Sequence, residues 1–369
     1  SNQKLVADLL ELGIVEDERD LLIVLANFAV QLYYQCHKTQ YFDNNVLLSF
    51  LSQEHTGEFH ILIKDLIGNH TIDSALIDKL QPALTKEILF VKGEDSLGFV
   101  YISLQDIGQR KSSGAYYTPE KVVNELIDRL YENDPNLKAK TICDPCCGTG
   151  NFLLSLGVKG IDYSNLYGQD IDPISVFLSR INIALMAPEI SALDIRSRII
   201  IGNTYFETFT QKFDIIVGNP PWGSDFSEAD ALQCRRVFKT AIGKSIESYD
   251  LFVEKALSML KHKGVLAFVL PDVTRELATL APLSAQLEES DLTISWYMYH
   301  IKALVALLNE DINQYVTRVA EASEQRAAQS HRELRSISMF ILLSALLALA
   351  ITGCAGWYIY RNLGSNLTA

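Results

Sequence analysis

The chain has 369 residues, 48% of them hydrophobic, with a formal net charge of −13 and a mean hydropathy of +0.11. That length allows two or three domains with sizeable cores, and its acidic balance argues against a chain that grips a polyanion by overall charge, since such grip rests on neutralising phosphates. The six cysteines do not suggest disulfides, and Cys143, Cys146 and Cys147 have no second Cys pair or His pair at zinc spacing to join them, so reduced thiols in the cytoplasm and no metal are expected.

Residues 1 to 110 read as a helical subdomain in which Leu21 to Tyr34 is a mostly apolar run too short to cross a bilayer. The chain opens on Ser1 rather than Met, and a natural N-terminus upstream is expected. Gly114-Ala115-Tyr116-Tyr117-Thr118-Pro119 precedes a helix expected over Glu120 to Leu130, with Thr118 as N-cap and Pro119 in the first turn.

Lys140 to Cys143 then reads as a short strand. It runs into Asp144-Pro145-Cys146-Cys147-Gly148-Thr149-Gly150-Asn151-Phe152 and a helical run over Leu153 to Leu156. Strand, glycine turn and helix in that order form a nucleotide-type site. Gly148 and Gly150 allow close backbone approach, and Asp144 is placed to face a cationic or hydrogen-donating group. A second strand ends in the acid of Tyr167-Gly168-Gln169-Asp170, suited to ribose hydroxyls, with Ile171 beside it. A third, Arg198 to Ile201, ends at Gly202-Asn203, where an amide suits an adenine edge.

A fourth buried strand, Phe213 to Gly218, ends in Asn219-Pro220-Pro221-Trp222. This loop points to amino-group methylation. An exocyclic amine conjugated to a ring is a poor nucleophile, and a site improves it by accepting both amine hydrogens so that the lone pair leaves the ring plane. The Asn219 amide oxygen and the Pro220 carbonyl are the candidate acceptors. The two prolines stiffen the loop, and Trp222 offers a face for base stacking, worth about 1 to 3 kcal/mol. Gly264 to Pro271 reads as a fifth strand, so a parallel, doubly wound sheet is expected.

In this order the motifs resemble the adenine-specific DNA amino-methyltransferases of restriction-modification systems, over roughly 95 to 272. Glu94 to Tyr101 is similar to the lead-in helix of their modification subunits, and Tyr249 to Leu257 to their next helix. The resemblance implies a Rossmann-like catalytic domain over 111–275 and S-adenosylmethionine as cofactor. Tyr117, Thr118 and Pro119 would lie against its methionine end, and Asp144 to Phe152, including Pro145, Cys146, Gly148 and Gly150, would wrap it. Asp170 would hold its ribose, with Ile171 next to it also at the cofactor; Asn203 would approach its adenine, and Phe252 would touch that adenine or pack in the core. The family more often has an acid where Asn203 stands. The implied substrate is an adenine flipped out of DNA, and Arg235, Arg236, Lys239 and Lys244 form a basic cluster after the catalytic loop. The alternatives are a methyltransferase acting on protein glutamine or RNA, and a membrane-bound signalling fragment with an inert enzyme half.

Beyond Asp272 the character changes. An apolar stripe at Leu287, Ile294, Ile301, Leu308, Tyr315 and Ala322 repeats at heptad spacing, so 276–337 is expected to be a long amphipathic helix, self-associating through 287–322. Met339 to Tyr360 is an uncharged apolar run with Trp357, Tyr358 and Tyr360 at one end, expected to cross the membrane over 338–360. From about Leu283 the chain resembles the membrane-proximal part of bacterial sensor histidine kinases, with 361–369 as the start of their signal-relay linker. Arg326, Arg332 and Arg335 precede the span while Arg361 follows it, so charge would keep the long helix inside and the kinase resemblance would put it outside. The expectation is a junction of two unrelated pieces: a methyltransferase sheet truncated after its fifth strand, and a C-terminal span fixing it to the bacterial inner membrane.

Overall fold

The computed structural model describes residues 1–38, 45–52, 57–105, 118–207, 209–221, 226–241 and 246–269. Up to residue 105 the described chain is helical: α1 (Asn2–Leu12), α2 (Glu18–Cys36), α3 (Val46–Leu51), α4 (Glu58–Ile67), α5 (Ser74–Leu84) and α6 (Ser96–Leu104). Asp17 caps α2 by accepting from the Asp20 N–H, and every residue from Leu22 to Leu32 is buried. A helix buried on every side must be sheathed by its neighbours, and α3, α4, α5 and α6 pack on it. Among the described residues no helix is long and apolar enough to cross a membrane.

Three polar side chains at helical spacing on α2 serve the extended stretch after α5. Asn27 Nδ2 donates to Leu84 O (3.0 Å), Gln31 Nε2 to Lys86 O (2.9 Å) and Gln35 Nε2 to Ile88 O (2.7 Å). Gln31 and Gln35 also accept from the Ile88 and Phe90 N–H groups (3.1 and 2.9 Å). Side-chain amides thus do the work of a neighbouring strand, since buried backbone groups must find partners somewhere.

The sheet half begins with α7 (Glu120–Asn133) and continues through β1 (Ile142–Asp144), α8 (Asn151–Val158), β2 (Leu166–Asp170), α9 (Pro173–Met186), α10 (Ala192–Arg198), β3 (Ile199–Ile201), β4 (Phe213–Gly218), α11 (Glu228–Val237), α12 (Ser248–Met259) and β5 (Leu260–Phe268). The five strands are all parallel, as the hydrophobic pattern predicts, and they run in the order β3-β2-β1-β4-β5. Right-handed crossovers that leave β1 in one direction and β4 in the other put helices on both faces of such a sheet. α11 and α12 close one face over Cys143, Phe213, Ile216 and Leu266.

Two strand boundaries differ from the sequence reading. β1 starts at Ile142 rather than Lys140, because the Thr141 N–H and hydroxyl both donate to Asp214 Oδ2 (2.9 and 2.7 Å). β5 starts at Leu260 rather than Gly264. Its pairing with β4 passes from Phe213↔Leu260 to Ile215↔Val265 across a bulge where Lys263 adopts a positive φ of 61°.

The helical half meets the sheet half at α9, against which α4 packs. Glu58 accepts from the Ala192 N–H at the start of α10 (2.6 Å), and Asp65 accepts from Arg196 Nε (2.7 Å). The long helix expected over 276–337, the span over 338–360 and the linker over 361–369 lie outside the described residues, as do Tyr117, Trp222 and Lys244.

Candidate active site

Because the strands are parallel, the loops after β1, β2 and β4 leave from one edge of the sheet. The strand order reverses between β1 and β4, and such a switch point opens a crevice outside the strand ends. The glycine turn and the Asn-Pro-Pro loop meet there. A Cβ placed on Gly218 would lie 2.6 Å from Asp144 Oδ1 and 3.1 Å from Cys146 Sγ, so only glycine, here at φ +148°, lets β4 hand its loop to the crevice.

The glycine turn is held by Cys147 N donating to Gln169 O (3.0 Å) and Gly150 N to Cys147 O (2.9 Å). Gly148 and Gly150 both have positive φ, and the space beside Gly148 is open: a Cβ there would meet nothing within 4 Å. Pro145 O accepts from Thr204 Oγ1 (2.6 Å), which ties the turn to the loop after β3.

Asp144 is 1% exposed. Its Oδ1 accepts from the Cys146 N–H (3.0 Å), while Oδ2 is buried without a hydrogen-bond partner. Burial pushes this carboxyl up to about 7; the nearby Asp170 adds to the push and the Cys146 N–H opposes it. An orphan acceptor of this kind costs about 1 to 3 kcal/mol and suits a hydrogen-donating ligand. Cys146 is partly buried and Cys143 and Cys147 are fully so, and desolvation raises all three thiols. Among the described residues no group of His, Cys, Asp or Glu is arranged to hold a metal ion.

Asp170 is half-buried and spans two turns, Oδ2 accepting from Gly148 N (2.8 Å) and Oδ1 from Asp172 N (3.0 Å). Desolvation raises it to about 6. Each oxygen keeps a further lone pair for a ribose hydroxyl. Ile171 beside it stands 64% exposed, an apolar surface at the crevice mouth that burial against a ring would relieve.

Two residues expected near the adenine make contacts within the protein. Phe252 is 5% exposed and packs edge-on to Tyr205 (4.8 Å, 71°) in the core cluster with Phe213 and Ile216, so it supports the site from within. Asn203 Oδ1 accepts from the Tyr205 N–H (3.1 Å), which orients the amide and leaves a further lone pair on that oxygen. Phe152 is buried in the first turn of α8.

Thr118 is not the N-cap of α7. Pro119 holds that position with no side-chain cap bond, and the Thr118 hydroxyl accepts instead from Asn219 Nδ2 (2.9 Å). Thr118 O in turn accepts from Asn151 Nδ2 (2.8 Å) at the start of α8. Thr118 therefore joins the glycine-turn helix to the Asn-Pro-Pro loop. The bond fixes the Asn219 amide with Nδ2 turned away and leaves Oδ1 as a buried acceptor with no partner. Pro220 is buried, and Pro221 O accepts from Ser248 Oγ at the start of α12 (2.6 Å). The sequence reading found the loop but not these anchors; Thr118, Asn151 and Ser248 lie within motifs already singled out or beside them. Asn182 and Thr204 lie outside every motif singled out, and Asp95 lies within the lead-in stretch Glu94 to Tyr101 with no role assigned to it there. Arg235 and Arg236 are exposed at the last turn of α11, where Arg235 Nη1 donates to Ala241 O (3.0 Å).

Residues 92–274 match the model of the N-6 DNA methylase family. This stretch is an N-6 DNA methylase domain. The chain is 29% identical over 185 residues to the type II methyltransferase M.VspI of Vibrio sp. (strain 343), covering 50% of this chain and 43% of that one. It is also 29% identical over 221 residues to the methylase subunit of the Escherichia coli type I restriction enzyme EcoEI, covering 56% and 42%. A Methanocaldococcus jannaschii protein provisionally named a protein N5-glutamine methyltransferase is 30% identical over 165 residues, covering 44% of this chain and 78% of that one. The chain spans less than half the length of the first two relatives. The fold is the Rossmann-like methyltransferase sheet and the cofactor of the domain is S-adenosylmethionine. The donor set fits that group: an orphan carboxylate oxygen for a cationic or hydrogen-donating end, open backbone at Gly148, and an acid beside an exposed apolar side chain. The match ends at 274, and nothing in it supports the sensor-kinase resemblance expected from about Leu283.

Proposed function

We propose that this N-6 DNA methylase domain transfers a methyl group from S-adenosylmethionine to the exocyclic amine of adenine in DNA, within a restriction-modification system. The observation that carries the reading is the buried, unpartnered Asn219 Oδ1, held in orientation by the Nδ2 bond to Thr118. The cofactor supplies a methyl group made electrophilic by its sulfonium. Thr118 and Pro119, with Tyr117, flank its methionine end; Asp144 to Phe152 wrap it; Asp170 takes the ribose, with Ile171 and Asn203 toward the adenine.

Asn219 Oδ1 and Pro220 O accept the two amine hydrogens of the target base. This draws the nitrogen lone pair out of the ring plane, so rate acceleration comes from positioning and preorganised acceptors. Taking the base out of the duplex costs a few kcal/mol, and stacking on Trp222 offsets part of it. Phosphate contact by Arg235 and Arg236 would be a local field in an otherwise acidic chain.

A second reading, methylation of a protein glutamine, is favoured by the archaeal relative of which this chain covers 78%. A side-chain amide nitrogen is also planar and needs the same two acceptors. Labelled cofactor offered with unmethylated DNA and a glutamine-bearing protein together separates the two. Label on adenine N6 supports the first reading, label on protein alone the second, and no label on either refutes both. From sequence alone we also read Met339 to Tyr360 as a membrane anchor and 287–322 as a self-association face. Carbonate extraction that released the whole chain into the supernatant would refute the anchor.

A further inference from the structure

The Asp-x-x-Gly start of α6 carries an N-cap that is more deeply buried than capping needs. Asp95 is 2% exposed. Its Oδ1 accepts from Gly98 N (2.8 Å) and from Asn182 Nδ2 on α9 (2.7 Å), and its Oδ2 accepts from the Thr149 hydroxyl. Capping alone asks for one acceptor, which Ser, Thr or Asn supplies without burying a charge. The other two bonds do something else.

Thr149 lies between Gly148 and Gly150, at φ of +51° and +97°. The two flanking glycines give the turn little conformational preference of its own, so its shape must be imposed from outside. Asp95 holds the Thr149 hydroxyl, and Asn182 Nδ2 also donates to Thr149 O (2.9 Å), so one residue of the turn is gripped by groups from two other helices. Only glycine at 98 permits this approach, because a Cβ there would lie 2.0 Å from Asp95 Oδ2 and 2.1 Å from Thr149 Oγ1. One turn further along α6, the Tyr101 hydroxyl donates to Asp172 Oδ2 (2.7 Å), and Asp172 N donates to Asp170 Oδ1.

We propose that Asp95 and Tyr101 are positioning residues for cofactor capture, with α6 as the floor that sets the glycine turn and the Asp170 turn relative to each other. This rests on the proposed cofactor site. The test compares Thr149→Val, which removes the hydroxyl, with Thr149→Ser, which keeps it. Amide hydrogen exchange over 146–151 is followed in the cofactor-free protein, and S-adenosylmethionine binding by calorimetry. The expected result is at least tenfold faster exchange and at least tenfold weaker binding in Thr149→Val, with Thr149→Ser within twofold of the parent on both. Tyr101→Phe, which keeps the ring, is read in the same way over 170–175 and decides the matter should Thr149→Val not fold. Unchanged exchange in Tyr101→Phe and Thr149→Val, or a Ser variant as perturbed as Val, overturns the proposal. A parent protein that binds no cofactor refutes the site reading instead, while the exchange comparison still judges Asp95.

Discussion

Replacing Asn219 by Ala separates activity from stability in a way the geometry dictates. On the proposed mechanism the lost Oδ1 is one of two preorganised acceptors for the reacting amine, and losing one such partner costs about 100- to 1,000-fold in turnover, about 2.7 to 4 kcal/mol. The folded protein gives up the Nδ2 bond to Thr118, worth about 1 kcal/mol, but also sheds a buried acceptor without a partner, which relieves about 1 to 3 kcal/mol. The melting temperature should therefore stay level or rise while methyl transfer collapses. Single-turnover transfer of labelled methyl to unmethylated DNA, thermal unfolding and calorimetric cofactor binding give the three readouts. A transfer rate within fivefold of the parent would refute the reasoning. So would a loss of cofactor affinity that accounts for the whole defect.

Asp144, raised from 3.8 to about 7, holds an extra proton in the folded state between those values. The stability this proton confers is complete below 3.8 and lost as pH climbs to about 7, with a slope approaching about 1.4 kcal/mol per pH unit. Asp144→Asn should flatten that slope in urea titrations run from pH 4 to 8. Binding of a cationic cofactor should strengthen as pH rises through 7 in the parent and not in the variant. Gly218→Ala forces a Cβ to within 2.6 Å of Asp144 Oδ1 at a φ of +148°, so it should lower stability by about 1 to 3 kcal/mol in thermal melts and displace the catalytic loop. Arg196→Ala removes a partly exposed pair with Asp65 and should cost no more than about 1 kcal/mol in urea unfolding.

Hydrophobic runs bounded by turn residues, with helical stretches between them, made the five strands and their parallel direction legible, whereas the strand order was not read from them. The bulge at Lys261 to Gly264 was not legible, since it answers to Asp214 on the neighbouring strand. The same division holds in the site. Asp144, Gly148, Gly150, Asp170 and Asn219 announce themselves by type and spacing. Thr118 read as a helix cap because capping is a local rule, whereas its partner is Asn219, 101 residues away. Asp95 could have been read as a cap from Asp-x-x-Gly, but its grip on Thr149 depends on how α6 docks, and sequence spacing does not encode docking.

The side-chain amides of α2 bear on how this protein can be dissected. The family match starts at 92, just past the stretch that Asn27, Gln31 and Gln35 hold in place. A truncation cut at that point would discard the helices that cover α9 and strand the segment leading into α6 without its scaffold. The smallest piece worth expressing therefore begins with the first helix, and a domain-swapping experiment should move the first hundred residues together with the catalytic sheet.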